Sequence, residues 1–167
     1  SKGSEFISVH SNQDSLNFMA ATANYSLKDY IIHANGVEDI AVADAIIYPD
    51  SGIVTVEKKA LIQTLYGARV LADDLTEYHI FTNSSVDIIS AHNYTASGDY
   101  TYTDAMNQKQ QIFFKEIRVG KDTVTLASGD VETDKPFHID SKFDFKGSLD
   151  LIADRKILVL RIVLQME

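Results

Sequence analysis

The sequence predicts an all-β domain, and three observations carry that expectation. Short runs of β-branched and aromatic residues recur along the chain, turn residues separate them at short intervals, and several runs alternate apolar with polar positions. With 167 residues, 45% of them hydrophobic, the chain has enough apolar material for one domain with its own core.

Taken in chain order, the first residues stand apart. Ser1-Lys2-Gly3-Ser4-Glu5-Phe6 reads as a vector-derived scar, because Gly-Ser-Glu-Phe is what two adjacent common cloning sites encode. Residues 1–6 are therefore set outside the fold, and 7–167 are expected to form a single all-β domain. Leu16, Met19, Ala20 and Ala23 share a helical face behind Asp14 as an N-cap. Leu16, Phe18 and Ala20 fit a strand equally well, so both readings stand. Strands are predicted at 30–34, 39–42, 70–72, 78–82, 86–90, 94–96, 100–103, 111–119, 123–127 and 136–139. The clearest hairpin is Ile46-Ile47-Tyr48-Pro49-Asp50-Ser51-Gly52-Ile53-Val54-Thr55-Val56, where Pro presets φ and Gly accepts a positive φ. One helical turn is an alternative for 71–78, around Asp73 and Asp74.

Lys142-Phe143-Asp144-Phe145-Lys146 alternates as a half-buried strand should, and Leu149-Asp150-Leu151 resumes the pattern after Gly147. The most apolar stretch is Ile157-Leu158-Val159-Leu160-Arg161-Ile162-Val163-Leu164, which reads as a strand buried on both faces. Its place near the end of the chain suggests a central strand inserted last or a piece cut from a longer protein, and the second is preferred. The expected architecture is a set of consecutive antiparallel hairpins forming a sandwich or a short stacked β-solenoid.

One regularity favours the solenoid. Gly36, Gly67, Gly98 and Gly129 are evenly spaced, and the last two sit in identical tetrapeptides, Ala96-Ser97-Gly98-Asp99 and Ala127-Ser128-Gly129-Asp130. Such a period suggests stacked units, each too small to bury its own apolar face. The plainer explanation is two similar turns in a β-rich chain. Either way the fold stays all-β.

Composition narrows the function. The net charge of −9 disfavours nonspecific binding to nucleic acid or anionic membranes, and no apolar run reaches the roughly 20 residues of a membrane-spanning helix. The absence of cysteine removes disulfides, thiol nucleophiles and Cys-based zinc sites. No serine-nucleophile elbow, phosphate loop, dinucleotide fingerprint or calcium loop occurs. No cofactor is expected.

The best binding hint is aromatic. Tyr94, Tyr100 and Tyr102, flanked by Asn93, Asp99 and Asp104, would offer flat faces to sugar rings and carboxylates to hydroxyl protons. Tyrosines on one strand face also stabilise sheets through cross-strand pairs, and that role is preferred. His138 and Asp140 share a strand face at a spacing a metal can use, but no third ligand is apparent, so no metal site is assigned. The other acids sit mostly beside turns, where Asp bonds backbone, and glycoside hydrolysis by paired carboxylates is the least favoured reading. Sequons at Asn24, Asn83 and Asn93 are neutral observations.

The ordered pieces Val42-Ala43-Asp44-Ala45-Ile46-Ile47-Tyr48-Pro49-Asp50-Ser51-Gly52, Gly98-Asp99-Tyr100-Thr101-Tyr102, Ile112-Phe113-Phe114-Lys115-Glu116-Ile117, Ala127-Ser128-Gly129-Asp130 and Phe143-Asp144-Phe145-Lys146-Gly147 carry a resemblance. Their order resembles the β-rich interior of very large cell-envelope proteins of Bacteroidetes-type bacteria. The resemblance spans residues 30–160 and brings no active-site residues with it. It implies a periplasmic or surface location and a modular, non-catalytic segment. The leading expectation is a structural or protein-interaction module that pairs with adjacent segments of its parent or with another envelope protein. Its interaction strand would comprise Ile157, Val159, Arg161 and Val163, left as an uncovered edge. A carbohydrate-binding module using the tyrosines is the alternative.

Overall fold

The computed structural model describes residues 3–131, 137–140 and 143–161. Strands β1 (Ser4–Ile7) and β2 (Asn17–Ala20) form a hairpin, and β3 (Thr22–Ser26) and β4 (Ile31–Asn35) form a second. A third joins β5 (Ile40–Val42) to β6 (Ala45–Tyr48), after which β7 (Ile53–Val56) adds to β4. From β8 (Leu65–Leu71) the chain meanders through β9 (Ile80–Ser90), β10 (Asn93–Thr103), β11 (Lys109–Val119) and β12 (Thr125–Val131). A small separate hairpin, β13 (Phe137–Asp140) and β14 (Phe143–Phe145), precedes β15 (Gly147–Ile152) and β16 (Val159–Arg161).

All pairings are antiparallel, and one sheet dominates, in the order β16-β15-β12-β11-β10-β9-β8-β6-β5. This nine-stranded sheet is curled into a half-barrel, and the assembly is sandwich-like. The smaller sheets β1-β2 and β3-β4-β7 share one continuous apolar core with it. All-β architecture from antiparallel hairpins is therefore what the chain adopts. It takes the sandwich-like form, not the stacked solenoid.

The curl has a local cause. Between Ala68 and Val70 of β8 the partner strand advances from Ser84 to Phe81, and between Ser97 and Asp99 of β10 it advances from Ser85 to Thr82, so β9 carries an extra residue there. Strand β11 carries another near Glu116, against both β10 and β12. Such bulges bend a strand and increase its twist. Glycines face them: Gly98 pairs with Phe114, and Phe114 pairs with Gly129 on its other side. Gly67, at φ +69°, sits at a register shift in β8.

The even spacing of Gly67, Gly98 and Gly129 thus places one glycine in every second strand along a single bend line. Gly36 lies outside that line, in the loop after β4. Gly129 leaves room for the fully buried Phe114 ring, which packs edge-on against Phe81 and Tyr100 at centroid distances of 5.5 and 5.7 Å, while Gly98 leaves room for the Ser84 side chain.

Hydrogen bonds tie the curl across its width. Asp44, in the β5–β6 turn, accepts from the Thr125 amide at 2.7 Å and from its hydroxyl at 2.6 Å. With its proton directed at Asp44, Thr125 Oγ1 accepts from the buried Tyr94 hydroxyl at 2.7 Å. The Ala153 amide donates to the Thr125 carbonyl at 2.9 Å. Burial pushes the Asp44 carboxyl above its usual range against the opposing hydrogen bonds from Thr125, with the Asp73 charge adding to the rise.

Several expectations are corrected. Residues 17–20 form a strand, while Asp14, at φ +50°, ends a single 3-10 turn, Ser11–Gln13, in place of capping a helix. Residues 71–78 form no continuous helix but do close one turn around Asp73 and Asp74, with the Glu77 amide donating to the Asp73 carbonyl at 2.9 Å. The Asp73 side chain accepts from the Leu75 amide and the Thr76 hydroxyl at 2.9 and 3.0 Å. The Pro49–Gly52 turn forms as expected, with the Gly52 amide donating to the Pro49 carbonyl at 3.3 Å. Its flanking strands do not pair with each other, because β6 joins the large sheet and β7 the three-stranded one. Ser4–Ile7 pairs with β2 and Phe6 stacks on Phe18 at 5.3 Å, so residues set outside the fold take part in it.

Two outcomes test this account. A Cβ on Gly129 would lie 2.8 Å from the Phe113 carbonyl oxygen, so Gly129→Ala is expected to cost about 1–3 kcal/mol, read from the denaturant midpoint. Thr125→Val removes the acceptor of a buried phenol and is expected to cost about 1–3 kcal/mol in the same measurement, with β-sheet circular dichroism retained.

Candidate functional site

Strand β10 projects Tyr100 and Tyr102 from one face, two residues apart, onto the inside of the curl. Between them and the 156–160 segment lies a cleft of about 510 Å3, whose further walls include Phe137, Ile139, Leu158 and Leu160. The Tyr102 ring packs on Phe137 at 5.0 Å, and Tyr100 packs on Phe81 at 5.7 Å. Lys156 stands at the lining, with no carboxylate partner among the described residues.

His79 holds the inner end of this cleft. Its Nε2 lies 2.6 Å from the Arg155 carbonyl, which can only accept, so Nε2 carries a proton. In the neutral ring Nδ1 then accepts from the Tyr100 hydroxyl at 3.0 Å. Burial lowers the His79 pKa below its ordinary value, outweighing the Arg155 carbonyl bond. Burial likewise raises the Tyr100 phenol, with Tyr102 adding to the effect. A neutral imidazole therefore positions Tyr100 and ties the 153–155 turn to the start of β9.

The structure separates the residues expected to act together. Tyr94 is 0% exposed and spends its hydroxyl on Thr125, so it is no sugar platform, and the expectation of an exposed ring fails at this position. The reason is that Tyr94 lies at the sealed end of the curl, while Tyr100 and Tyr102 lie at the cleft. Asp99 belongs to the opposite face of β10 from Tyr100 and accepts from Asn83 Nδ2 at 3.3 Å. Asp104 is buried in the β10–β11 turn, where Oδ1 accepts from the Met106 and Gln108 amides at 2.9 and 2.8 Å. It builds the turn and does not face the cleft tyrosines as a ligand carboxylate. Only Tyr100 and Tyr102 remain together.

The apolar 157–164 stretch was expected to be buried on both faces, and its described part is not. Ile157, Val159 and Leu160 are 76%, 43% and 37% exposed, and β16 ends the large sheet. Arg161 Nε lies 2.5 Å from Asp150 Oδ2, a cross-strand pair with β15. Val163 lies outside the described residues. Among the described residues no strand pairs with the outer side of β16, which includes Val159 and Arg161, while Ile157 precedes the strand. His138 Nδ1 meets Asp144 Oδ1 of the paired strand at 2.5 Å, whereas the Asp140 side chain lies outside the described part. Among the described residues no three His, Asp or Glu side chains are grouped to hold a metal. The sequon residues Asn24, Asn83 and Asn93 are all exposed.

The sequence reading missed His79, Tyr78, Phe137 and the Leu158–Leu160 wall as parts of one site. One signal was present: His79 shares strand parity with Phe81, which points its ring inward with the core. The meeting of β10 with the 156–160 segment depends on the curl, and no local pattern announces it.

No family profile, curated protein or solved structure matches the chain. Among the described residues no helix is long and apolar enough to cross a membrane.

The pH dependence tests the His79 tie. Its lowered pKa means the unfolded chain binds a proton that the folded chain refuses. Stability is present above the unfolded value of about 6.5 and is lost as pH falls below it. In urea titrations between neutral and mildly acidic pH, wild type is expected to lose more stability than His79→Gln. Equal losses in both would remove this role for His79.

Proposed function

We propose that the chain is a non-catalytic interaction module that receives an extended segment of a partner along β16. The observation that carries this reading is the position of β16 at the end of the nine-stranded sheet among the described residues, with apolar Val159 and Leu160 exposed. An edge strand offers unpaired amides and carbonyls, and a partner strand satisfies them while its alternate side chains enter neighbouring pockets. The cleft beside β16 supplies such pockets, lined by Tyr100, Tyr102 and Leu160. Lys156 at its lining favours an occupant that carries a carboxylate. The partner is thus an extended segment alternating apolar and acidic residues.

The resemblance to large envelope proteins belongs to the same proposal. In that setting the segment would come from a neighbouring part of the parent protein or from another envelope protein outside the cytoplasm. The glycan reading keeps only Tyr100 and Tyr102 and loses the carboxylates it needed, so it ranks second.

A synthetic peptide of alternating valine and glutamate is the probe. It is expected to slow amide exchange in Val159–Arg161, and a version interrupted by proline is expected not to. Lys156→Glu is expected to weaken binding by no more than about fivefold, the effect of losing one exposed ion pair. Unchanged exchange at β16 with saturating peptide would overturn the proposal. Electrophoresis through polysaccharide gels is expected to leave mobility unaltered. Retardation that disappears in Tyr100→Ala would put the glycan reading in its place.

A further inference from the structure

A second recess lies far from β16 in the sequence, where the N-terminal hairpin meets the three-stranded sheet. It has a volume of about 170 Å3, and its walls include Phe6, Leu16, Phe18, Ile32, Val56 and Ile62. Into this apolar lining the sequence places one amide, Gln13, which is only 4% exposed. Gln13 Nε2 donates to the Ala60 carbonyl at 2.6 Å. A carbonyl only accepts, so that bond fixes the orientation of the amide and leaves Oε1 as its free end. Oε1 is buried and has no donor among the described residues.

The two loops that hold this amide are unusual. Asp14 and Ser15 follow Gln13 with φ of +50° and +58°, and Lys59 and Ala60 have φ of +63° and +60°. These are the only consecutive pairs of non-glycine residues with positive φ among the described ones. Left-handed backbone on both sides of one side-chain hydrogen bond is conformationally costly. It holds the Gln13 amide at the recess instead of letting it turn to solvent.

We propose that this recess is a binding site for a single aromatic ring bearing one hydrogen-bond donor, a phenol. Size and chemistry each support this. An engineered apolar cavity of about 150 Å3 takes up benzene, so a recess of this volume admits one six-membered ring. A buried acceptor without a donor penalises a purely apolar guest and rewards one that supplies an O–H. The lining provides no cation and no carboxylate, which disfavours charged ligands. Phe6 contributes one wall, whereas the anchor and the remaining walls lie beyond the leading six residues. The site is independent of β16 and of the interaction proposed there.

Two nearly isosteric rings test the assignment on the intact chain. p-Cresol carries the donor, and 4-methylanisole replaces it with a methyl ether. NMR titration followed at the Leu16, Val56 and Ile62 methyl groups is expected to show p-cresol binding about tenfold tighter, the effect of one buried hydrogen bond. Gln13→Met is expected to reduce that preference to parity while 4-methylanisole still binds. Equal affinities in the wild type would overturn the proposal, as would the absence of shifts with either ring, which would leave a water as the partner of Oε1. The wild-type comparison decides the matter even if the variant does not fold. N-acetyltyrosine amide distinguishes two sources of the ring. Competition with p-cresol assigns the recess to a tyrosine side chain of a peptide, and failure to compete while p-cresol still binds assigns it to a free phenol.

Discussion

The bend across the large sheet is the constraint on which the remaining structure depends. Direct partners run Gly98, Phe114, Gly129, Leu149, Leu160 from β10 to the edge, with bulges in β9 and β11 alongside. A flat sheet of this width would leave Phe114 exposed and hold β10 and β16 far apart. Bending brings Phe81, Tyr100 and Phe114 into one aromatic cluster and carries Leu160 over toward Tyr100. Glycine is required along the line because backbone approaches side chain there, as the 3.3 Å separation between a Cβ at position 129 and the Phe114 ring shows.

Polar groups then lock what the bend brings together. Thr125 accepts from Tyr94 and Ala153 and donates to Asp44, and His79 spans Tyr100 and Arg155. The Asp44–Thr125 and His79–Arg155 bonds join residues 81 and 76 apart in sequence, on elements that are not neighbours in the sheet. Their net contribution lies in satisfying groups that burial would otherwise leave unpaired. The result is a half-barrel sealed at the Thr125 end and recessed where Tyr100 and Tyr102 meet the edge.

Much of the architecture was legible because strand chemistry is local. Alternation at 143–145 and at Leu149-Asp150-Leu151 and the β-branched run at 111–119 were readable from residue type. The apolar residues near Val159 pointed instead to a strand buried on both faces, whereas the described part is exposed. The Gly-rich spacing was readable too, but its meaning was not. An interval shared by Gly67, Gly98 and Gly129 looks the same whether units stack as coils or strands meander past one bend line. The Pro49–Gly52 turn misled for a related reason, since turn residues specify a reversal of direction and not which sheet each flank joins. Tyr94 and Tyr100 are both strand tyrosines, and only the curl decides that one is sealed and the other faces a cleft. Gln13 gave no local signal, because its partner Ala60 is distant in the chain.

The exposed edge also bears on how copies of this chain meet one another. A strand ending in open amides pairs as readily with its own kind as with a foreign segment, and that route leads to fibrous association. The net charge of −9 opposes it, since two approaching copies repel over roughly 10 Å at about 0.1 M salt. Ionic strength therefore acts as a gate on self-association, which opens as added salt shortens the reach of that repulsion.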